Sequence, residues 1–530
     1  MSQSKRIKSG PMSSVDAAWL HMDTPTNLAV ITGVMIFDGA LDFAWLQKIV
    51  ERRLLIHDRF CQRVRETRLG IGTPHWEIDP DFDLQSHLHR MALPEPADQG
   101  ALQEFVAEIM SQPLDPRMPM WHFYVLDNYC SGWALVARLH HCVGDGMSLM
   151  QLLLSITDDQ PDAPLPEQQI DDHGDAAWLS RLAYRALGTV DALEKSYRQA
   201  SEMAHEGLEL VTNPRKLADL ANMGASGFMA LNKLLLLPPD RRTIFRGQCG
   251  VGKTAVWSRP VDLEMIKGIG RAMGGTVNDV LIAAVTAALR RYLEEREQRV
   301  DRLDIRAIVP VNLRPMDELS ELGNGFGLVF LSLPIGVEDP LKRLVVLRRR
   351  MNAIKNTPEA VVAMGILGSM GYTPIQIQKL IVSIFGSKGT LVLTNVPGPR
   401  QRLYMAGSPM RSLMFWVPAP GNLGMGVSII SYAGEVVLGV ATDACLVPDP
   451  EAILDHFYAE LEFLHSWGHS PLQDQVEPIE DVNLEPTPEA VSENGMCAAL
   501  TRSGQPCKNR ARPGLSTCYA HRAVEPAAQP

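Results

Sequence analysis

The hydrophobic pattern of this chain breaks in two. From Thr157 to Asp175 runs TDDQPDAPLPEQQIDDHGD, which is acidic, rich in proline and without an apolar period. Such a stretch supplies neither a helix nor a strand to a core, so it reads as a linker. On each side lies a block of alternating strand and helix signals, over residues 12–165 and roughly 250–470. A chain of 530 residues is too long for one hydrophobic core. Two α/β halves of similar size are therefore expected.

In the first block NLAVITGVMIFDG reads as a strand, and DFAWLQKIVERRLL as a helix with apolar residues at helical spacing. HFYVLD, the turn NYCSG and WALVARL read as a hairpin, followed by an apolar helix GMSLMQLLLSI. Residues 175–236 read as mostly helical, stopped by Pro238-Pro239. The second block holds the helix TVNDVLIAAVTAALRRYLEER and the strands IRAIVPVNLRP and LVFLSLPIG. A helix LKRLVVLRRRMNAIK follows, then strands GTLVLTNVPGP, NLGMGVSIISYAG and EVVLGVATD. This order is not a regular βαβ repeat, which argues against a Rossmann or barrel fold. The expected boundaries are 1–165, 166–245 for linker and crossover helices, 246–472, and a polar tail at 473–530.

The formal net charge of −11 argues against binding nucleic acid by bulk electrostatics. No run of 18 apolar residues is present, and the basic start MSQSKRIKSGPMSS lacks the apolar stretch of a secretory signal. A cytoplasmic protein is expected. Cys61, Cys130, Cys142, Cys249 and Cys445 are scattered and read as reduced thiols.

Gly247 to Thr254, GQCGVGKT, matches the phosphate-loop pattern G-x-x-x-x-G-K-[ST]. A working loop needs an apolar strand before it and a helix starting at Lys-Thr. Upstream stands PPDRRTIFR, charged and broken by prolines; downstream, AVWSRPVDL alternates like a strand. The match reads as chance, and a nucleotide-hydrolysing enzyme is not expected.

The chemistry concentrates elsewhere. WALVARL runs directly into HHCVGDG, His140 to Gly146, and a helix follows at once. Adjacent strand residues point to opposite faces, so one imidazole can face a substrate while the other braces the loop. A neutral imidazole is a good general base near pH 7. Adjacent histidines seldom share one metal, and no further histidine stands at ligand spacing.

H-H-x-x-x-D-G at a strand–helix junction resembles the signature of the bacterial wax ester synthase/diacylglycerol acyltransferase family. Other stretches agree in order: MSSVDAAWLHMDTPTNLAVITGVMIFDG, HDRFCQRV, PLDPRMPMWHFYVLD, GGTVNDVLIAAVTAALRRYL, VPVNLRP, LGNGFG, LTNVPGP and GEVVLGVATDACLVPDP. Pro119-Met120-Trp121 stands where the family usually has Pro-Leu-Trp. The resemblance spans residues 12 to about 468.

It implies an α/β (α+β) fold of two chloramphenicol-acetyltransferase-like halves with an active-site tunnel between them. It also implies single-step transfer of a long-chain acyl group from acyl-CoA to a fatty alcohol or diacylglycerol. His141 would remove the hydroxyl proton, with His140 beside it and no cofactor needed. Asp145 would hold the loop through backbone donors or an arginine of the other half, and Gly146 lets the helix start close to the strand. Asn278 and Asp279 are either a helix cap or a functional pair. Trp121 lines the acyl channel or belongs to the core. Lys253 becomes a solvated or CoA-facing charge on the loop before the second half's first strand. GFMALNKLLLL and MGILGSMGYTPIQIQKLIVSIFG either pack in the core or meet a lipid surface. The alternative is a non-catalytic or condensation-type module of the same fold. Outside the resemblance, Cys497, Cys507, Cys518 and His521 offer a tetrahedral zinc set, or free thiols in a disordered tail.

Overall fold

The computed structural model describes residues 9–66, 73–165, 236–313, 324–355, 359–370, 373 and 375–468. In chain order, the first half contributes β1 (Gly10–Pro11), α1 (Ser14–Met22), β2 (Val30–Asp38), α2 (Phe43–Ile49), β3 (Gln62–Arg65), β4 (His75–Ile78) and β5 (Leu88–Met91). α3 (Gln99–Met110), β6 (Trp121–Leu126), β7 (Gly132–His140) and α4 (Gly146–Ser155) complete it. The second half runs β8 (Lys253–Trp257), β9 (Val261–Asp262), α5 (Leu263–Met273), α6 (Val277–Glu295), β10 (Ile305–Asn312), β11 (Phe326–Leu333), α7 (Pro340–Lys355), α8 (Glu359–Met370) and α9 (Ile375–Ser387). Then come β12 (Leu391–Pro397), β13 (Tyr404–Met405), β14 (Ser408–Trp416), β15 (Met425–Tyr432), β16 (Glu435–Asp443) and α10 (Glu451–Gly468).

Each half is built on a sheet. The first has the order β13-β14-β2-β7-β6-β5, and the second β11-β10-β12-β15-β16-β8, with β9 beside β16. Val30 to Phe37 of β2 are all buried, because that strand has a neighbour on both edges and cover on both faces. In the second half α6 is buried from Asp279 to Arg290, its Ala, Val and Leu residues packed between the sheet and α5, α7 and α10. Such all-round apolar burial makes it a core helix.

The two sheets are stitched together by one strand. Residues 404–416 lie within the second half in sequence, yet β14 pairs antiparallel with β2, Met414 opposite Val34 and Trp416 opposite Thr32. A bulge between Met410 and Ser412 bends the strand. The crossing is tight: a Cβ at Gly439 of β16 would sit 2.5 Å from Met414 Sδ and 2.9 Å from Trp416 Nε1. Only glycine lets the two sheets approach this closely.

The phosphate-loop letters resolve into different structure. Lys253 and Thr254 open β8, paired with Asp443 and Thr442 of β16. No helix starts there. Gly250 N–H donates to the Asp443 carboxylate at 3.0 Å, so an amide that a phosphate would need already faces an anion of the chain itself. The segment 175–235 and the tail beyond residue 468, with Cys497, Cys507, Cys518 and His521, lie outside the described residues.

Candidate active site

β7 ends at His140, and α4 begins six residues later at Gly146. Asp145 is the N-cap that makes this short turn possible. Its Oδ1 accepts from Ser148 N–H at 2.9 Å and from Ser148 Oγ at 2.8 Å, which satisfies an orphan donor of the first turn. Its Oδ2 accepts from Gly325 N–H at 2.9 Å, just ahead of β11 in the second half. Among the described residues, backbone donors of both halves hold it. Gly146 packs closely: a Cβ there would meet Val417 Cγ1 at 3.2 Å, and that side chain would have to give by a few tenths of an ångström.

The two histidines take different roles. His140 is fully buried, and its Nδ1 accepts from Cys142 N–H at 3.2 Å. That bond occupies the Nδ1 lone pair, so in the neutral ring the proton sits on Nε2, 3.8 Å from Asp23 Oδ2. His140 therefore braces the turn. His141 lies with its ring flat on Trp19 of α1, centroids 3.8 Å apart and planes 16° from parallel, with Phe326 of β11 at 5.6 Å. Its backbone is tied to the first half through His141 N–H to Ala29 O at 2.8 Å. Its carbonyl accepts from Asn324 Nδ2 at 3.0 Å, and the same amide nitrogen reaches Asp16 Oδ1 at 2.8 Å.

Burial pushes the His141 imidazole down to about 4; the Asp145 carboxylate pulls it back up and His140 opposes that pull. The ring is thus neutral at pH 7. The adjacent Cys142 thiol is inert by the same physics: burial pushes it well above the ordinary thiol range, so no thiolate nucleophile competes.

A cleft opens between the halves. Val30 and Thr32 of β2 and Met110 of α3 form one wall; Met425 and Thr442 form the other. Val417, the side chain nearest to Gly146 of the motif, lines it too, while none of His140 to Gly146 does.

Other expected site residues lie elsewhere. Trp121 is fully buried, donates from Nε1 to Phe60 O at 2.9 Å and stacks on His87 at 4.8 Å. Of its two open roles, channel lining and core, this packing fits the core. The Lys253 ammonium spends its three protons on Thr26 O at 2.7 Å, Gly250 O at 2.9 Å and Asp443 Oδ2 at 2.6 Å. It borders the cleft but is neither solvated nor free for a CoA phosphate, because Asp443 already neutralises it. The cap of α6 is Thr276, not Asn278. Thr276 and Asp279 form a reciprocal capping box, and Asp279 Oδ2 accepts from Thr276 N–H at 2.8 Å. Asn278 Oδ1 accepts from Asn395 Nδ2 of β12. No hydrogen bond or ring contact joins this pair to His141 among the described residues. Trp19, Asn324, Gly325 and Phe326 carry the site geometry instead. The stretches DAAWL and LGNGFG contain them, but nothing in either pattern marks the individual side chains.

A family model described as the wax ester synthase/diacylglycerol acyltransferase catalytic domain matches residues 12–281, and one for the C-terminal domain of the same enzymes matches residues 322–465. The chain is 27% identical over 448 residues to a Mycobacterium tuberculosis protein named probable diacylglycerol O-acyltransferase tgs1, covering 83% of this chain and 92% of that one. The fold is similar to the wax ester synthase/diacylglycerol acyltransferase of Marinobacter aquaeolei VT8, with TM-score 0.61 and 22% identity over 86% of this chain and 99% of that one. It is also similar to the first condensation domain of the calcium-dependent antibiotic synthetase, with TM-score 0.54 and 15% identity over 89% of this chain and 100% of that domain. Two lobes are thus the shared architecture, and with family models matching both halves the chain belongs to the wax ester synthase/diacylglycerol acyltransferase family and is an O-acyltransferase.

Proposed function

We propose that the protein transfers a long-chain acyl group from acyl-CoA to the hydroxyl of a fatty alcohol or diacylglycerol, with His141 as general base. The observation that carries this is the neutral, buried His141 imidazole on the Asp145-capped turn, gripped by Asn324 and Gly325 of the other half. His141 removes the hydroxyl proton as the oxygen attacks the thioester carbonyl. The tetrahedral oxyanion then collapses, the C–S bond breaks, and the imidazolium returns its proton to the CoA thiolate. The Asp145 carboxylate favours the transient imidazolium. No acyl-enzyme and no cofactor are needed. Incubation with palmitoyl-CoA and either hexadecanol or diolein, beside a His141→Ala control, tests the reading. No CoA release with any long-chain alcohol or diacylglycerol would sink it.

The same reading has the enzyme work in the cytoplasm, peripheral to a membrane or lipid inclusion. No single helix among the described residues is long and apolar enough to cross a bilayer. Support comes from α9, whose outer face leaves Ile377, Leu380 and Ile384 exposed by 46%, 59% and 42% at helical spacing, with Lys379 beside them. Its inner residue Gln378 meets His21 of α1, the helix that carries Trp19. Flotation with anionic vesicles containing diolein tests this. A Leu380→Asp/Ile384→Asp variant that floats as well as wild type would remove the proposal.

A further inference from the structure

We propose that Asn324 is a positioning residue that holds the proton on His141 Nδ1 and so leaves Nε2 as the free base. This rests on His141 being the base. Three observations carry it.

First, His141 Nδ1 and Asn324 Oδ1 are both buried, and neither has a hydrogen-bond partner among the described residues. A buried polar atom left unpaired costs roughly 1–3 kcal/mol, so two complementary orphans on touching residues are a bond waiting to form. Second, the orientation of the amide is fixed by chemistry. Its nitrogen faces two acceptors, Asp16 Oδ1 at 2.8 Å and His141 O at 3.0 Å, so Oδ1 cannot be exchanged into that position. The oxygen is left for a donor, and the neighbouring donor without a partner is an Nδ1–H. Third, after the Asp145 carboxylate and the backbone carbonyl of His141 itself, the Asn324 side chain is the group that pulls the imidazole up against burial.

The histidine's own carbonyl already accepts from Asn324 Nδ2. A catalytic bond such as Nδ1–H to Oδ1 commonly tightens only when substrate is bound. Gly325, the next residue, holds Asp145. One dipeptide of the second half therefore grips both ends of the catalytic turn, and the tautomer depends on the halves being docked.

The test uses the full chain. Asn324→Ala should lower kcat by about 10-fold or more while the KM for palmitoyl-CoA stays within about twofold. Asn324→Asp alone would set two carboxylates against each other, so it is made together with Asp16→Asn, which reverses that donor and acceptor, while the His141 carbonyl loses its donor as it does in Asn324→Ala. This double variant should raise kcat above that of Asn324→Ala and move the acid limb of kcat/KM to higher pH, because a carboxylate now faces the ring. In nitrogen NMR of histidine-labelled protein, assigned by difference with His141→Gln, the wild-type ring should carry its proton on Nδ1; Asn324→Ala should give a mixture. Wild-type kcat in Asn324→Ala, with His141→Ala inactive, overturns the proposal. Activity retained in His141→Ala overturns the base assignment instead. If Asn324→Ala does not fold, the double variant decides: an unshifted acid limb, or an unprotonated Nδ1, overturns the proposal.

Discussion

Lowering the pH probes the buried His141 most directly. An ordinary histidine titrates at 6.5, whereas burial holds His141 at about 4. The acid limb of kcat/KM reports the free enzyme's essential base. At pH 5 a base with the ordinary value would be about 3% deprotonated; one near 4 is still about 90% deprotonated. The expected rate at pH 5 is therefore close to that at pH 7, some 30-fold above what an exposed histidine would give. The same shift has a stability consequence. The folded value lies below the unfolded one, so the contribution is complete above pH 6.5 and is lost as the pH falls from 6.5 through 4. It amounts to about 3 kcal/mol. Product formation should be followed by chromatography between pH 4 and 8, with circular dichroism at each pH to separate titration from unfolding. A limb centred at 6.5 in protein that remains folded would refute the burial argument.

Other changes follow from the same geometry. Asp145→Asn can still cap α4, but its amide turns a donor toward Gly325 N–H. A loss of about 2–4 kcal/mol in urea unfolding is expected, together with a lower kcat; unchanged unfolding would remove the inter-half role of the carboxylate. Lys253→Ala leaves Asp443, only 1% exposed, without its cation, so stability should fall by about 3 kcal/mol or more with the acyl-CoA KM unchanged. A raised KM at wild-type stability would return Lys253 to CoA binding. For the tail, the full chain should carry one zinc and a chain ending at residue 480 none, by elemental analysis; equal zinc in both would leave the cysteines as free thiols.

Much of the site was legible in the sequence because its turn is local. A strand, two histidines, a capping Asp, a Gly and a helix occupy one continuous stretch, and the cap is made between near neighbours. What the sequence hid is what arrives from far away. Asn324 and Gly325 act on residues about 180 positions earlier, and no local period marks them. β14 was missed for a different reason. Pro409 and the bulge near Arg411 break the alternation that announces a strand, and nothing in SPMRSLMFW says that it belongs to the other sheet. Trp121 shows what a pattern leaves open: the sequence allowed a channel wall or a core residue, and only the folded neighbours show its indole N–H and ring used up in packing around Phe60 and His87.

The stitching strand also sets a clock for folding in the cell. β2 and β7 emerge early, but β2 waits for its other neighbour until Trp416 has been made. That is roughly 280 residues after His140, on the order of 15 to 55 s of synthesis. Throughout that interval the apolar edge from Thr32 to Phe37 is an open template for the wrong strand. Expression yield should therefore depend on chaperone supply and elongation rate more than on the stability of the finished fold, and a chain cut at the linker should aggregate rather than yield a folded first half.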